Sequence, residues 1–138
     1  MKVYIAGKLC LDNEKQFLEK LAKLCEDLGF ETFLPHRDAG LVRTMDDVEK
    51  IFKADIEQGF KDINLVIADL NGLHVGAGTA WELGYAYANK IPCLGIKIDE
   101  PIEDALDSLS AILIYSMEIV DSIEKLRKKL EEFKDKQN

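Results

Sequence analysis

Short apolar runs alternate with longer amphipathic segments along the whole chain. The apolar runs predict five β-strands, at residues 2–6, 31–34, 63–70, 93–98 and 111–115. Apolar side chains at helical spacing predict helices at residues 13–28, 45–60, 79–89 and 119–134, with a short helix at 101–109. Residues 37–44 are predicted to form a loop. This alternation predicts a single α/β domain with a doubly wound parallel sheet.

The run at residues 63–70 is the most continuous apolar run, as expected of a strand buried on both faces. In an open parallel sheet, ligands bind beyond the carboxyl ends of the strands. Three loops are therefore expected to meet at that edge, at residues 7–13, 35–43 and 71–78. Residues that carry chemistry are expected among these loops.

A glycine-rich turn follows this third strand and leads into the helix predicted to start at Thr79. Gly72, Gly76 and Gly78 allow the backbone to turn tightly and to approach a ligand. Glu82 follows Thr79 by three positions, which allows two interpretations. The pair could form a capping box that satisfies the first amides of the helix. Alternatively, Glu82 could be a functional carboxylate beside a small polar ligand at the helix N-terminus.

Composition narrows the classes of function. The 138 residues suit one domain, residues 1–138, with 47% hydrophobic residues for a core. The net charge of −8 argues against a nucleic acid partner, whose phosphate backbone is also negative. No run approaches the roughly 20 apolar residues that a membrane span needs. The first apolar run is too short for a signal peptide.

The cysteines and histidines do not follow a metal-binding pattern. Cys10, Cys25 and Cys93 have no CxxC spacing, which argues against a metal site and favours a reducing cytoplasm. The two histidines, His36 and His74, are isolated in the sequence. We therefore expect neither a metal ion nor a cofactor.

Five short segments together are more specific than any single feature. They are Val3-Tyr-Ile-Ala-Gly7, Leu34-Pro-His-Arg37, Ile51-Phe-x-Ala-Asp55, Ala68-x-Leu-Asn-Gly72 and Gly78-Thr-Ala-Trp-Glu-Leu-Gly-Tyr-Ala86. In this order they resemble the nucleoside 2-deoxyribosyltransferases, and the resemblance extends to the related nucleoside 5′-monophosphate N-glycosidases. It implies a flavodoxin-like domain with five parallel strands.

The resemblance also implies a reaction at the N-glycosidic bond of a nucleoside or nucleotide. Glu82 matches the family glutamate that attacks the anomeric carbon and forms a covalent glycosyl ester. A second free nucleobase then takes the sugar in the transferases, and water takes it in the hydrolases. We expect transfer of 2-deoxyribose; the alternatives are a 5′-monophosphate N-glycosidase and a nucleotide-binding sensor without turnover.

Two further residues match catalytic positions of the family. Tyr4 matches the tyrosine whose hydroxyl holds the glutamate, although a strand tyrosine can equally be a core residue. Asp55 matches an aspartate near sugar and base, where it could protonate the departing base; the ordinary alternative is a solvated helix carboxylate. The spacing from Asp55 to the third strand is one residue longer than the resemblance leads us to expect.

The candidate substrate-binding residues are Gly7, Lys8, His36, Gly76, Gly78 and Ser110. The sequence departs from the family pattern at Gly76, where Asp or Ser is frequent, and at Asn71, where Asp is frequent. It departs again at Lys8, where a small residue or Pro is common. Lys8 could meet a 5′-phosphate, or it could simply be solvated.

The resemblance implies a homodimer or a larger homo-oligomer, in which a polar residue of a neighbouring copy reaches the sugar. Ser108 or Ser110 lies in the matching region, although either serine could equally be a helix-ending residue. Trp81 is expected to pack on the core side or to border the base pocket. Phe17 and the methionines are expected in the core.

Overall fold

The computed structural model describes residues 1–137. Its strands are β1 (Lys2–Ala6), β2 (Glu31–Phe33), β3 (Leu65–Asp69), β4 (Cys93–Ile96) and β5 (Glu118–Val120). Its α-helices are α1 (Asp12–Asp27), α2 (Pro35–Asp38), α3 (Asp46–Phe52), α4 (Ala77–Ala88), α5 (Ala111–Ser116) and α6 (Ile123–Gln137). A π-helical segment, Lys53–Gln58, continues α3, and Ile102–Asp104 form a 3-10 turn.

The five strands form one parallel sheet in the order β2-β1-β3-β4-β5. From β1 the chain moves outward to β2 and then returns to the other side of β1 to form β3. This reversal confirms the predicted doubly wound α/β fold and places the switch point at the carboxyl ends of β1 and β3. No helix among the described residues is long and apolar enough to cross a membrane.

Alternating side chains of the central strands build a separate core on each face of the sheet. Val3 and Ile5 belong to the cluster that contains the buried residues of α1 and α6. Tyr4 and Ala6 point to the opposite face, where they pack with Leu83 of α4. Because β1 and β3 are buried on both faces, the side chain of Tyr4 has a fixed position next to α4.

The predicted fifth strand is wrong in position. Residues 111–115 form part of helix α5, and the strand is Glu118–Val120. Ser110 caps this helix, because its hydroxyl accepts a hydrogen bond from the backbone N–H of Ile112 over 3.2 Å. A short apolar run has no periodicity that separates a strand from a helix turn.

Smaller corrections concern the connecting segments. The predicted loop after β2 begins as helix α2, with Pro35 in its first turn. The helix predicted at 101–109 is reduced to the 3-10 turn, and α6 begins at Ile123 rather than at residue 119. The methionines do not all lie in the core, because Met45 is exposed; Phe17 packs against the core as expected.

Candidate active site

Helix α4 begins two residues earlier than predicted, at Ala77, with Gly76 as its N-cap. Thr79 is therefore a buried residue of the first turn and not the cap. No side chain caps this helix, and Glu82 points away from the helix start. The capping-box interpretation of Thr79 and Glu82 is wrong, and Glu82 is left free for another role.

The carboxylate of Glu82 instead accepts a short hydrogen bond from the phenolic hydroxyl of Tyr4. Tyr4 is fully buried, and its ring stacks between Phe33 and Phe60, with centroid distances of 5.4 and 4.1 Å. Burial, together with the charge of Glu82, raises the pKa of Tyr4 far above its ordinary value. Tyr4 therefore stays protonated and acts as a rigid hydrogen-bond donor to Glu82.

Burial raises the pKa of Glu82 to about 7. The Tyr4 hydrogen bond opposes this shift because it favours the charged carboxylate, whereas the nearby Asp55 charge adds to it. Burial likewise raises the pKa of Asp55, to about 6. The pKa values of both carboxyl groups are thus raised toward neutrality, as is frequent for groups at functional sites.

Asp55 lies in the π-helical segment that continues α3. Its Oδ1 atom is buried and has no hydrogen-bond partner among residues 1–137. A π-helical turn holds one residue more than an α-helical turn. Asp55 lies in this wider turn and lines the same cavity as Glu82.

A cavity of about 560 Å³ lies at the switch point of the sheet and contains both carboxyl groups. All three expected loops contribute to it: the loop after β1 with Gly7 and Lys8, α2 with Pro35, and the glycine turn with Gly76 and Gly78. This volume suits a small-molecule ligand.

Aromatic side chains form the outer wall of the cavity. Trp81 is 51% exposed and meets Phe52 edge to face, with ring centroids 6.0 Å apart. Its other side stacks on Tyr85 at 5.5 Å. Trp81 thus borders the cavity and does not pack in the core, which decides between the two positions expected for it.

Lys8 lies between the cavity and the glycine turn. Its ammonium forms an ion pair with Glu14 of α1 over 3.4 Å. Gly72 has a φ of +94°, and a Cβ there would come within 2.7 Å of the Lys8 Nζ atom. The glycine turn thereby leaves room for this lysine.

Comparison with known proteins agrees with this geometry. Residues 3–131 match the model of the nucleoside 2-deoxyribosyltransferase family. The chain belongs to this family. Its members act on nucleosides or nucleotides, so the protein is an enzyme of that class. No curated protein matches the chain.

Solved structures share the fold of this family member at low sequence identity. A 2-deoxyribosyltransferase from Bacillus psychrosaccharolyticus has a TM-score of 0.70 and 22% identity, over 94% of this chain and 96% of its own. A conserved protein from Enterococcus faecalis V583 has a TM-score of 0.72 and 23% identity, over 96% and 98%. The CMP N-glycosidase BcmB from Clostridium botulinum has a TM-score of 0.57 and 20% identity, over 95% and 99%. The flavodoxin-like fold expected for the family is confirmed.

Two candidate residues of this family member lie outside the cavity lining. His36 pairs through Nε2 with Glu19 over 2.9 Å. Ser110, at the start of α5, borders a second groove with Tyr87 and Tyr115. Neither side chain is brought together with Glu82 within this chain.

Lys97 is a buried residue that the sequence pattern did not single out. Its ammonium donates to the carbonyl oxygens of Leu70 and Gly72, at 3.3 and 3.2 Å, and pairs with Asp99 at 2.9 Å. It thereby anchors the loop that follows β3 and leads into α4. Lys97 directly follows β4, inside the apolar run predicted at residues 93–98. That position was the available signal, because a buried lysine needs several acceptors. Among the described residues, no cluster of three or more His, Cys, Asp or Glu could hold a metal ion.

Proposed function

We propose that the protein cleaves the N-glycosidic bond of 2-deoxynucleosides and transfers the sugar to a second nucleobase through a covalent ester on Glu82. The Glu82 oxygen bonds to C1′ while the bond from C1′ to the base nitrogen breaks. Asp55 gives its proton to the departing base. The acceptor base then attacks C1′, Glu82 leaves as a carboxylate, and the acceptor's proton returns to Asp55.

The hydrogen bond from Tyr4 to Glu82 at the cavity wall is the observation that carries this proposal. It holds one carboxylate oxygen, so the other oxygen can face a sugar. Burial keeps the pKa values of Glu82 and Asp55 near neutrality, so one proton can reside on the pair. The reactive state carries the proton on Asp55 and leaves Glu82 as the carboxylate, which is the form that the hydrogen bond from Tyr4 favours.

The test is a base-exchange assay with deoxyinosine as donor and free adenine or cytosine as acceptor. We expect hypoxanthine to appear together with the new deoxynucleoside in equal amounts. Glu82→Gln should abolish both products. Release of hypoxanthine without a new deoxynucleoside would reject transfer and favour hydrolysis.

A 5′-monophosphate N-glycosidase is the second candidate, because the cation of Lys8 lines the cavity beside the start of α4. Glu14 already neutralises this cation, which favours an uncharged nucleoside. Comparing deoxycytidine with its 5′-monophosphate in wild type and Lys8→Met separates the two candidates. No preference for the phosphate, or a preference that survives in Lys8→Met, argues against the Lys8 role.

A nucleotide-binding sensor is the third candidate, motivated by Gly76 and Asn71 where the family often has Asp. It predicts ligand binding without release of base from any nucleoside or nucleotide. Calorimetric titration of the wild type with a nucleoside, paired with a base-release assay, would identify it.

We also propose that the protein forms a homo-oligomer in the cytoplasm. The groove beside Ser110 exposes apolar side chains, with Tyr115 95% and Ile112 79% exposed, and burial of such a patch favours association. The three cysteines are free, which suits a reducing compartment. Light scattering of wild type and Tyr115→Glu tests the oligomer: a wild type that is already monomeric contradicts it.

A further inference from the structure

The main-chain path around Asp55 differs from that of a regular α-helix. At the end of the π-helical segment, the N–H of Gly59 donates to the carbonyl oxygen of Ala54, five residues earlier, over 2.8 Å. This wider turn separates α3 from the approach to β3. π-helical turns are energetically poorer than α-helical turns and often occur at functional sites.

Gly59 is the residue that closes this turn. A glycine is needed here because there is no room for a side chain, and not because of the backbone conformation. Its φ of −63° and ψ of −38° are ordinary helical values that any residue adopts. A Cβ at this position, however, would overlap the carbonyl oxygen of Asp55 and come within 2.7 Å of the Phe33 ring. Phe33 cannot retreat freely, because it stacks on Tyr4.

The Asp55 carboxyl is held by its backbone rather than by side-chain partners. Its buried Oδ1 has no hydrogen-bond partner within the described part of the chain. No residue of α3 or of the π-helical segment is fully buried, and the half-buried Ile56 packs against the core. A displacement of the Asp55 carbonyl would therefore move the carboxyl directly.

We propose that Gly59 is a positioning residue: its missing side chain lets the π-helical turn close, and that turn holds the Asp55 carboxyl in the cavity with Glu82. The catalytic consequence rests on the role proposed above for Asp55. The placement of the carboxyl does not depend on that role.

Two variants test the placement by different routes. Gly59→Ala pushes the Asp55 carbonyl away, and deletion of the exposed Glu57 shortens the segment by one residue so that the turn can close as an α-helix. Removing one residue from a helix rotates the side chains before the deletion by about 100° relative to those after it. Gln58→Ala is the matched control, because this exposed neighbour adds no atoms to the turn.

The pKa of Asp55, followed by carbon NMR of its carboxyl, is the readout independent of turnover. We expect it to fall toward its ordinary value in both test variants, because the group moves into water, and to stay raised in Gln58→Ala. The kcat for base release should fall roughly 10²-fold or more, the usual loss when a general acid is misplaced. The KM for the nucleoside should change less than about threefold.

An unchanged Asp55 pKa in a folded test variant overturns the proposal. So does a loss of kcat that is equally large in Gln58→Ala. If Gly59→Ala does not fold, the Glu57 deletion decides alone, since it adds no atoms to the crowded turn. If the wild type releases no base, the proposed function fails, and the NMR measurement still decides the placement.

Discussion

The side-chain amide of Asn71 donates a hydrogen bond to Asp69 Oδ1 over 2.8 Å, and the backbone N–H of Asn71 donates to the same oxygen over 2.9 Å. The Asn71 oxygen accepts hydrogen bonds from the N–H groups of Ile98 and Asp99. Asn71 therefore joins the loop after β3 to the loop after β4. Asn71 thus serves the scaffold and does not line the cavity.

Asn71→Asp should lower the free energy of unfolding by about 1–3 kcal/mol, because a buried acceptor loses its donor and faces a second carboxylate. The loss should shrink in acid, since burial already raises the pKa of Asp69 and its protonation removes the repulsion. Urea denaturation measures both effects. The control is Asn13→Asp, because Asn13 is exposed. An equal loss of stability in this control would show that the loss does not come from the hydrogen bonds of Asn71.

Glu82→Gln should change how stability depends on pH. The folded-state pKa of Glu82 is raised from 4.5 to about 7, so its contribution to stability is full below 4.5 and is lost as pH rises through 7. The variant should lack this decline, which amounts to roughly 2–3 kcal/mol. Urea denaturation across this window, with the exposed Glu57→Gln as control, measures it; parallel curves for wild type and Glu82→Gln would contradict the shift.

Tyr4→Phe should move the acidic limb of the pH–rate profile to higher pH. Glu82 attacks only as a carboxylate, so kcat/KM rises as the pH passes the pKa of Glu82. The Tyr4 hydrogen bond lowers that pKa, and Asp55 opposes it. Lys8 and Cys10 also line the cavity and are unchanged in this variant. We expect a loss of about tenfold or more at neutral pH.

The control for this experiment is Tyr87→Phe, which removes a hydroxyl from an exposed tyrosine of the same protein. Its profile should coincide with that of the wild type. A profile of Tyr4→Phe that is lower but not displaced would assign Tyr4 to packing alone.

Trp81→Ala should weaken binding more than it slows chemistry. An aromatic wall stacks on a planar base, and such contacts contribute about 0.5–1.5 kcal/mol, so KM should rise up to roughly tenfold. Trp81 is the single tryptophan of the chain, and its fluorescence in the wild type reports nucleobase binding directly. Ile98→Ala, which truncates an exposed apolar residue outside the cavity, should leave KM unchanged. A Trp81 fluorescence that does not respond to any base would contradict the role of Trp81 as a wall of the base site.

The fold was predictable because the hydrophobic pattern of the central elements is unambiguous. The strand β1 and helix α1 agree with the pattern within one residue, and the continuous run around β3 marks a strand with two buried faces. Residues 111–115 were assigned to a strand because five apolar residues fit either a strand or a helix turn. The edge strand β5 has only three residues, which is too short for an alternating hydrophobic pattern to identify it as a strand.

The site residues that belong to a family motif could be predicted from the sequence. The features of the site that depend on tertiary packing could not. The pairing of Tyr4 with Glu82 followed from the family resemblance, since a bond across 78 positions has no local signal. The start of α4 at Ala77 was missed because Thr79 and Glu82 match a capping box by spacing. The role of Gly59 depends on a widened turn, which apolar periodicity does not report.

The two sides of the cavity are anchored very differently. Tyr4 belongs to a central strand in which residues 3–6 are buried, whereas no residue from α3 to Gln58 is fully buried, although Ile56 packs against the core. Segments with little burial open locally at lower free energy than core strands. In hydrogen–deuterium exchange, the amides around Asp55 should therefore exchange long before those of β1. If Asp55 and Glu82 act as proposed, local opening on the Asp55 side would give a departing base an exit, while the hydrogen bond from Tyr4 keeps Glu82 in place.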